Sequence, residues 1–243
     1  MPLVGLTETE QLPAPLLKRL SVVTQRETKP HDVFSTTELI GPTRHAYLKR
    51  TCDYTVPAHT LMYVLHGQTV DGMLDDDEGE VLTQERLRDE INSGQFDRYE
   101  VDRGLLLDWK MTGYYKIKKC LTQGMAVSSF AWCLQLNDYR MKLEALGFPV
   151  RQMYIFAIVR DFGWMSKKAG ITQPWYWLKV ERISDRRLKR YFEAKRRRLQ
   201  TALDTKTLPP VCPANERWNE KRCKDYCAVA QFCDHGRQVL GHV

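Results

Sequence analysis

No stretch of this chain approaches the roughly 18 consecutive apolar residues that a membrane-spanning helix needs. The first residues also lack the basic head and apolar run of a secretion signal. These two absences argue against a membrane-spanning or exported protein, and the expected location is the cytoplasm. There is no internal repeat, which speaks against a solenoid array, and no low-complexity tract, which speaks against a long disordered tail. Acidic residues are nearly missing from one segment. Between Arg182 and Arg198 nine Lys or Arg residues face only Asp185 and Glu193, which gives this segment alone as much net charge as the whole chain, +7. Localised positive charge of this kind suits a polyanionic partner. The opposite sign gathers in Asp71, Asp75, Asp76, Asp77, Glu78 and Glu80.

What is present describes a globular chain. At 243 residues, 43% hydrophobic and 28% charged, it can bury one substantial core with an appendage. The expected organisation is an N-terminal arm over residues 1–34, a core over 35–205 and a cysteine-rich tail over 206–243. The arm is rich in Pro and Thr and predicts an extended segment with at most a short helix near Pro15–Leu20. Ser35-Thr36-Thr37-Glu38 fits a helix N-cap with its capping-box acid and predicts a helix over Thr36–Lys49. A second helix is expected over Leu61–Leu74, and a strand or short helix around Val81–Ile91. Gln95–Val101 and Gly104–Trp109 are β-prone runs split by the turn residues Asp102-Arg103-Gly104, which predicts a hairpin. A helix over Val127–Leu146 is stopped by Gly147 and Pro149. Strands are expected at Arg151–Arg160 and Trp175–Arg182. A basic helix follows over Asp185–Leu203, with Leu188, Tyr191, Phe192, Leu199 and Leu203 on one face and the arginines outward.

The hairpin carries the residues that phosphodiester hydrolysis needs: hard oxygen ligands for a divalent metal and a positive group near the developing charge. Asp97 is expected on its first strand. Asp108 and Lys110 are expected on its second, two apart and therefore on one face, at the end of the apolar run Leu105-Leu106-Leu107. Gln135 and Tyr139, four apart, share a helix face. Four of the seven cysteines, Cys212, Cys223, Cys227 and Cys233, crowd the last 32 residues. With no export signal, they point to a metal or cluster before disulfides. Four thiolates can hold an iron–sulfur cluster or tetrahedral zinc. Cys120 and Cys133 have no partners nearby and are read as small buried hydrophobes.

The order Gly94-x-x-Asp97, Asp108-x-Lys110 and Gln135-x-x-x-Tyr139 resembles the signature of RecB- and AddB-type nucleases. These belong to the PD-(D/E)XK superfamily, as do the CRISPR-associated four-cysteine exonucleases and many phage recombination exonucleases. The resemblance spans roughly residues 35–233. It implies an α/β fold of the restriction-endonuclease-like type, with a central mixed sheet flanked by helices and a C-terminal cluster-binding segment. It implies Mg²⁺ or Mn²⁺ held by Asp97, Asp108 and the Trp109 carbonyl, with Lys110 orienting water or stabilising charge. Gln135 and Tyr139 would steady the site or contact the DNA backbone. The family usually has a metal-binding His four residues after a Gly on the preceding helix. Here Gly67 is followed at that offset by Asp71, while His66 precedes it, so Asp71 is taken as the ligand with His66 as the alternative. The segment Cys223–Cys233 resembles the family's cluster segment, whose fourth Cys lies near the N-terminus. The matching region Ile40–Arg44 lacks it, so Cys212 is taken as the fourth ligand, with Cys52 in reserve. A [4Fe–4S] cluster is expected, with zinc as the alternative. The implied activity is a metal-dependent deoxyribonuclease, an exonuclease before an endonuclease, in recombination, repair or phage DNA processing. DNA is the expected partner, with a helicase or recombination protein as a further one. The alternative is a non-catalytic DNA-binding or assembly module that keeps the fold. Trp164, Trp175, Tyr176 and Trp177 are candidates to stack on bases.

Overall fold

The capping box at Ser35 forms: Glu38 N donates to Ser35 Oγ and Ser35 N to Glu38 Oε2, both at 3.3 Å. It opens a helix that stops earlier than the sequence pattern suggests, because Pro42 forces Gly41 into an extended conformation (φ −68°, ψ 172°) and restarts the helix behind it. This computed structural model describes residues 4–10, 12–24, 33–73 and 80–241, with backbone alone for 70–73. Its chain divides into two units, residues 1–65 with 192–243, and residues 66–191.

In the first unit, β1 (Val4–Thr7), α1 (Ala14–Thr24), α2 (Thr36–Ile40), α3 (Thr43–Thr51) and β2 (Tyr54–Pro57) precede α4 (Ala58–Met73). In the expected arm, the short helix foreseen near Pro15–Leu20 runs longer, over Ala14–Thr24, behind the extended β1. β1 pairs in parallel with β2, Val4 against Tyr54, and Leu20 of α1 is buried. Glu38 and Arg50 tie α2 to α3 through two contacts of 2.6 and 2.8 Å, with the Arg50 guanidinium over the Phe34 ring.

The second unit carries β3 (Val81–Thr83), β4 (Arg86–Arg88), β5 (Ser93–Gln95), β6 (Arg98–Glu100), β7 (Leu105–Thr112), α5 (Tyr114–Gln123), α6 (Met125–Ser128), α7 (Phe130–Ala145), β8 (Gln152–Val159), α8 (Trp164–Lys168) and β9 (Trp175–Lys179). Five of these strands form a sheet in the order β3-β6-β7-β8-β9, mixed because β7 and β8 alone run parallel. A parallel pair needs a long crossover, and α5, α6 and α7 supply it. The predicted helix over Val127–Leu146 breaks at Ser129 (φ −142°, ψ 39°), whose hydroxyl lies 3.0 Å from Cys120 Sγ. The expected strand Gln95–Val101 is two strands. Phe96 turns into the core between them, so β5 pairs with β4 while β6 pairs with β3 and β7. Gly104, at φ +58°, makes the β6–β7 turn, and a Cβ there would stand 2.7 Å from the Pro149 carbonyl oxygen. The core of this unit joins Phe96, Tyr99, Leu106, Leu136, Tyr139 and Ile155.

α9 (Asp185–Thr205) buries Leu188, Phe192, Leu199 and Leu203 as its periodicity predicts, with Tyr191 half-buried. Arg186, Arg187, Lys189, Arg190, Arg197 and Arg198 are exposed. Lys195 is instead buried against the Gly41 carbonyl at 2.9 Å and Glu216 at 2.6 Å. α10 (Ala214–Arg217), α11 (Lys221–Asp225), a short 3-10 turn (Ala230–Phe232) and α12 (Asp234–Leu240) complete the first unit. Among the described residues no helix is long and apolar enough to cross a membrane.

Candidate active site

Strand register assembles the site. β6 pairs with β7 only from Glu100↔Leu105 to Arg98↔Leu107. The pairing stops one residue short of Asp97, which precedes Arg98. With no strand left to receive it, the Trp109 N–H donates to Asp97 Oδ2 at 2.7 Å. Asp97 therefore lies not within a strand, as its sequence context suggests, but in the bend just before β6.

Leu106, Asp108 and Lys110 alternate onto the face of β7 turned toward α7. Asp108 is 1% exposed, and Lys110, 23% exposed, meets its Oδ2 through the ammonium group. No other hydrogen bond reaches that buried oxygen. Gln135 Nε2 donates to Asp108 Oδ1 at 3.4 Å and to the Tyr139 hydroxyl at 3.0 Å. Burial, then the Asp108 and Asp97 carboxylates, push the Tyr139 hydroxyl well above its ordinary pKa, against the lowering effect of its Gln135 hydrogen bond. Tyr139 thus keeps its proton through the neutral range and accepts the Gln135 amide. The five residues singled out from sequence converge, and their donor set is right for a hard cation. Asp108 is a buried carboxylate with one oxygen reached only by a lysine, and Asp97 and the Trp109 backbone stand beside it.

The remaining ligand is not brought in. His66 is exposed on α4, and the Asp71 side chain lies outside the described residues, as do Asp75 to Glu78. Among the described residues no group of three acid, His or Cys ligand atoms within 4.8 Å of one another includes Asp97 or Asp108. Trp175 and Trp177 are each 53% exposed. Trp177 packs edge-on against Tyr154 and Phe156, and Phe156 against Trp109, which places it on the sheet face opposite Asp108. Trp164 is also exposed, whereas Tyr176 packs against the core and accepts the Thr172 and Gln173 N–H groups.

The tail cysteines belong to the first unit. The Cys212 sulfur accepts the His45 backbone N–H near the start of α3. Burial pushes the Cys212, Cys223 and Cys227 thiols up, and each is raised further by its neighbours: Cys212 by Cys233 and Cys227, Cys223 by Cys212 and Cys233, Cys227 by Cys223 and Cys233. Cys52 is the C-cap of α3, seven residues and roughly 10 Å along the helix axis from His45. Arg222 lies among the same thiols, with its guanidinium 4.3 Å from the Trp218 ring. No three of the four sulfurs lie within 4.8 Å of one another, whereas Glu220, Cys223 and His235 do bring their ligand atoms that close. Sequence reasoning missed Glu220 and His235. The available signals were the i, i+3 spacing of Glu220 and Cys223 and a His two residues after Cys233.

No protein-family model matches this chain, and no curated protein matches it. Among solved structures, that of SSO0001 is similar with a TM-score of 0.53 and 12% identity, over 90% of this chain and 94% of its own. The two share a fold. A phage-related exonuclease from Haemophilus somnus 129PT matches with a TM-score of 0.45 and 12% identity, over 71% of this chain and 94% of that one.

Proposed function

We propose that this protein is a Mg²⁺- or Mn²⁺-dependent deoxyribonuclease with a PD-(D/E)XK site, acting on DNA ends or single strands. One observation carries the reading. Asp97 accepts the Trp109 N–H next to the buried Asp108, with Lys110 on the same strand as Asp108 and Gln135, held by Tyr139, bracing Asp108 from α7. A surface salt bridge has no need of a buried carboxylate in that company. Asp97, Asp108 and the Trp109 carbonyl would hold the ion, which when bound polarises the phosphate and supplies an activated water. Lys110 places positive charge where the pentavalent phosphorus develops negative charge. Gln135 fixes the Asp108 carboxylate through its amide, and Tyr139 holds Gln135 in turn.

The exposed basic residues of α9 would take DNA phosphates through counterion release. In this reading the tail holds a [4Fe–4S] cluster on Cys212, Cys223, Cys227 and Cys233. Its four thiols influence one another, and no three of their sulfurs close to within 4.8 Å of one another, whereas tetrahedral zinc draws all four to about 3.8 Å at its ~2.3 Å bond length. Cys212 supplies the fourth thiol from beside the start of α3. The cellular setting proposed is cytoplasmic recombination, repair or phage DNA processing, alongside a helicase or recombination protein.

The test is cleavage of end-labelled single- and double-stranded DNA with magnesium, manganese or chelator, by the wild type, Asp108→Ala and Lys110→Ala. Metal-dependent cleavage lost in both variants is expected. Tight DNA binding without cleavage on any substrate would reject the enzyme and leave a binding module.

A further inference from the structure

Beside the four thiols the tail contains a second donor set that nothing above has used. We propose that Glu220, Cys223 and His235 bind a single divalent transition ion of the zinc type, and that this site competes with the four-thiol set for Cys223. Among the described residues it is the one group of three acid, His or Cys side chains whose ligand atoms all lie within 4.8 Å of one another. His235 Nε2 and Glu220 Oε2 are already 2.8 Å apart. Carboxylate, thiolate and imidazole form a mixed hard-to-soft set that suits zinc, and three protein ligands leave a fourth position for water.

The chain is shaped to make this approach. Trp218, Asn219 and Glu220 are consecutive non-glycine residues at φ 54°, 52° and 70°. Left-handed backbone is sparsely populated by non-glycine residues and is held here by the surrounding contacts. The three together turn the chain between α10 and α11, and the half-buried Glu220 carboxylate meets His235. Trp218 stacks edge-on with Tyr226 and under Arg222, which fixes that turn. From the other side, Gly236 lets α12 lie so close on the Ala230 carbonyl that any Cβ there would overlap it. His235, its neighbour, is thereby set against α11. Arg217 Nη1 bonds Glu220 Oε1 at 2.7 Å and also contacts His235 Nε2. A cation thus stands where the two lone pairs converge. An entering metal takes that place, and the guanidinium keeps its bond to the other carboxylate oxygen.

Cys223 cannot serve both sets at once, so occupation of one excludes the complete other. The tail would then hold either a four-thiol cluster or a single ion at this smaller site.

Cobalt(II) tests this directly on anaerobic, reduced, chelator-stripped full-length protein, with circular dichroism confirming the fold of each variant. Expected is one Co²⁺ per chain, displaced by Zn²⁺, with the thiolate charge-transfer intensity of one sulfur. His235→Gln and Glu220→Gln should weaken binding tenfold or more, while Cys212→Ser and Cys227→Ser leave it within about twofold. Zinc added before iron and sulfide should lower cluster reconstitution in the wild type and not in His235→Gln. Four-thiolate intensity lost in Cys212→Ser but kept in His235→Gln would put the ion on the four thiols and overturn the proposal. Absence of Co²⁺ binding by folded wild type would overturn it equally.

Discussion

Gln135 is the residue whose role is most sharply testable, because its single amide nitrogen serves both Asp108 and Tyr139. If it acts by holding the Asp108 carboxylate, Gln135→Ala should weaken metal binding rather than DNA binding. Groups that orient a metal ligand are worth 10- to 100-fold in affinity or activity. The bond to Asp108 is 3.4 Å, at the long end of hydrogen bonding, so the lower limit applies: about tenfold, or ~1.4 kcal/mol. The concentration of Mn²⁺ giving half-maximal cleavage should rise by that factor. The rate at saturating Mn²⁺ and the KM for oligonucleotide should stay near wild type. Isothermal titration of Mn²⁺ without DNA should show the same tenfold loss. An unchanged metal requirement with a raised KM for DNA would refute this reasoning and make Gln135 a backbone contact.

Three further outcomes follow from the same structure. Lys142 and Asp138, 3% and 1% exposed, pair at 2.7 Å with Asn92 and Asp89 on the same ammonium. Lys142→Ala strands a buried carboxylate and should cost about 3–5 kcal/mol in urea unfolding, and Lys142→Ala/Asp138→Leu should recover most of it; a loss under about 1 kcal/mol for the single variant would show the pair is not desolvated. Cys212→Ala should lose the iron absorbance of reconstituted protein while Cys52→Ser keeps it; the reverse result would move the fourth ligand to Cys52. Burial, with Cys120 beside it, pushes the Cys133 thiol up to about 11, so it holds its proton throughout the neutral range and should resist a thiol reagent at pH 8 until the protein unfolds; labelling in the native protein would contradict the buried placement.

The chemistry of the hairpin was legible because strand periodicity alone sets Asp108 and Lys110 on one face, and the Leu105–Leu107 run signals burial behind them. The placement of Asp97 against the Trp109 N–H was not legible. It depends on Phe96 leaving the strand for the core and on β6 losing β7 after Leu107, events set by packing rather than by local pattern. The break between α2 and α3 was signalled by Pro42, which the capping box at Ser35 overshadowed. Lys195 looked like one more solvent-facing charge on a basic helix, yet it is buried against Gly41 and Glu216, residues far away in sequence. The pairing of Glu220 with His235 was hidden for a related reason. It requires three residues with left-handed backbone, which no propensity scale anticipates at Trp-Asn-Glu.

The division of the chain bears on the order in which it is made. The second unit is one uninterrupted segment, residues 66–191, whereas the first is built from residues 1–65 and 192–243. On a ribosome, the strands and helices around Asp97, Asp108 and Gln135 have all emerged before any tail cysteine exists. The early segment, β1 through β2, must wait for residues 192–243 before its own unit can close. A nascent chain would therefore assemble its proposed catalytic carboxylates before the tail proposed to bind metal. Defects in metal supply should then leave the older half of the newborn protein intact and strike the N-terminal segment through its missing partner.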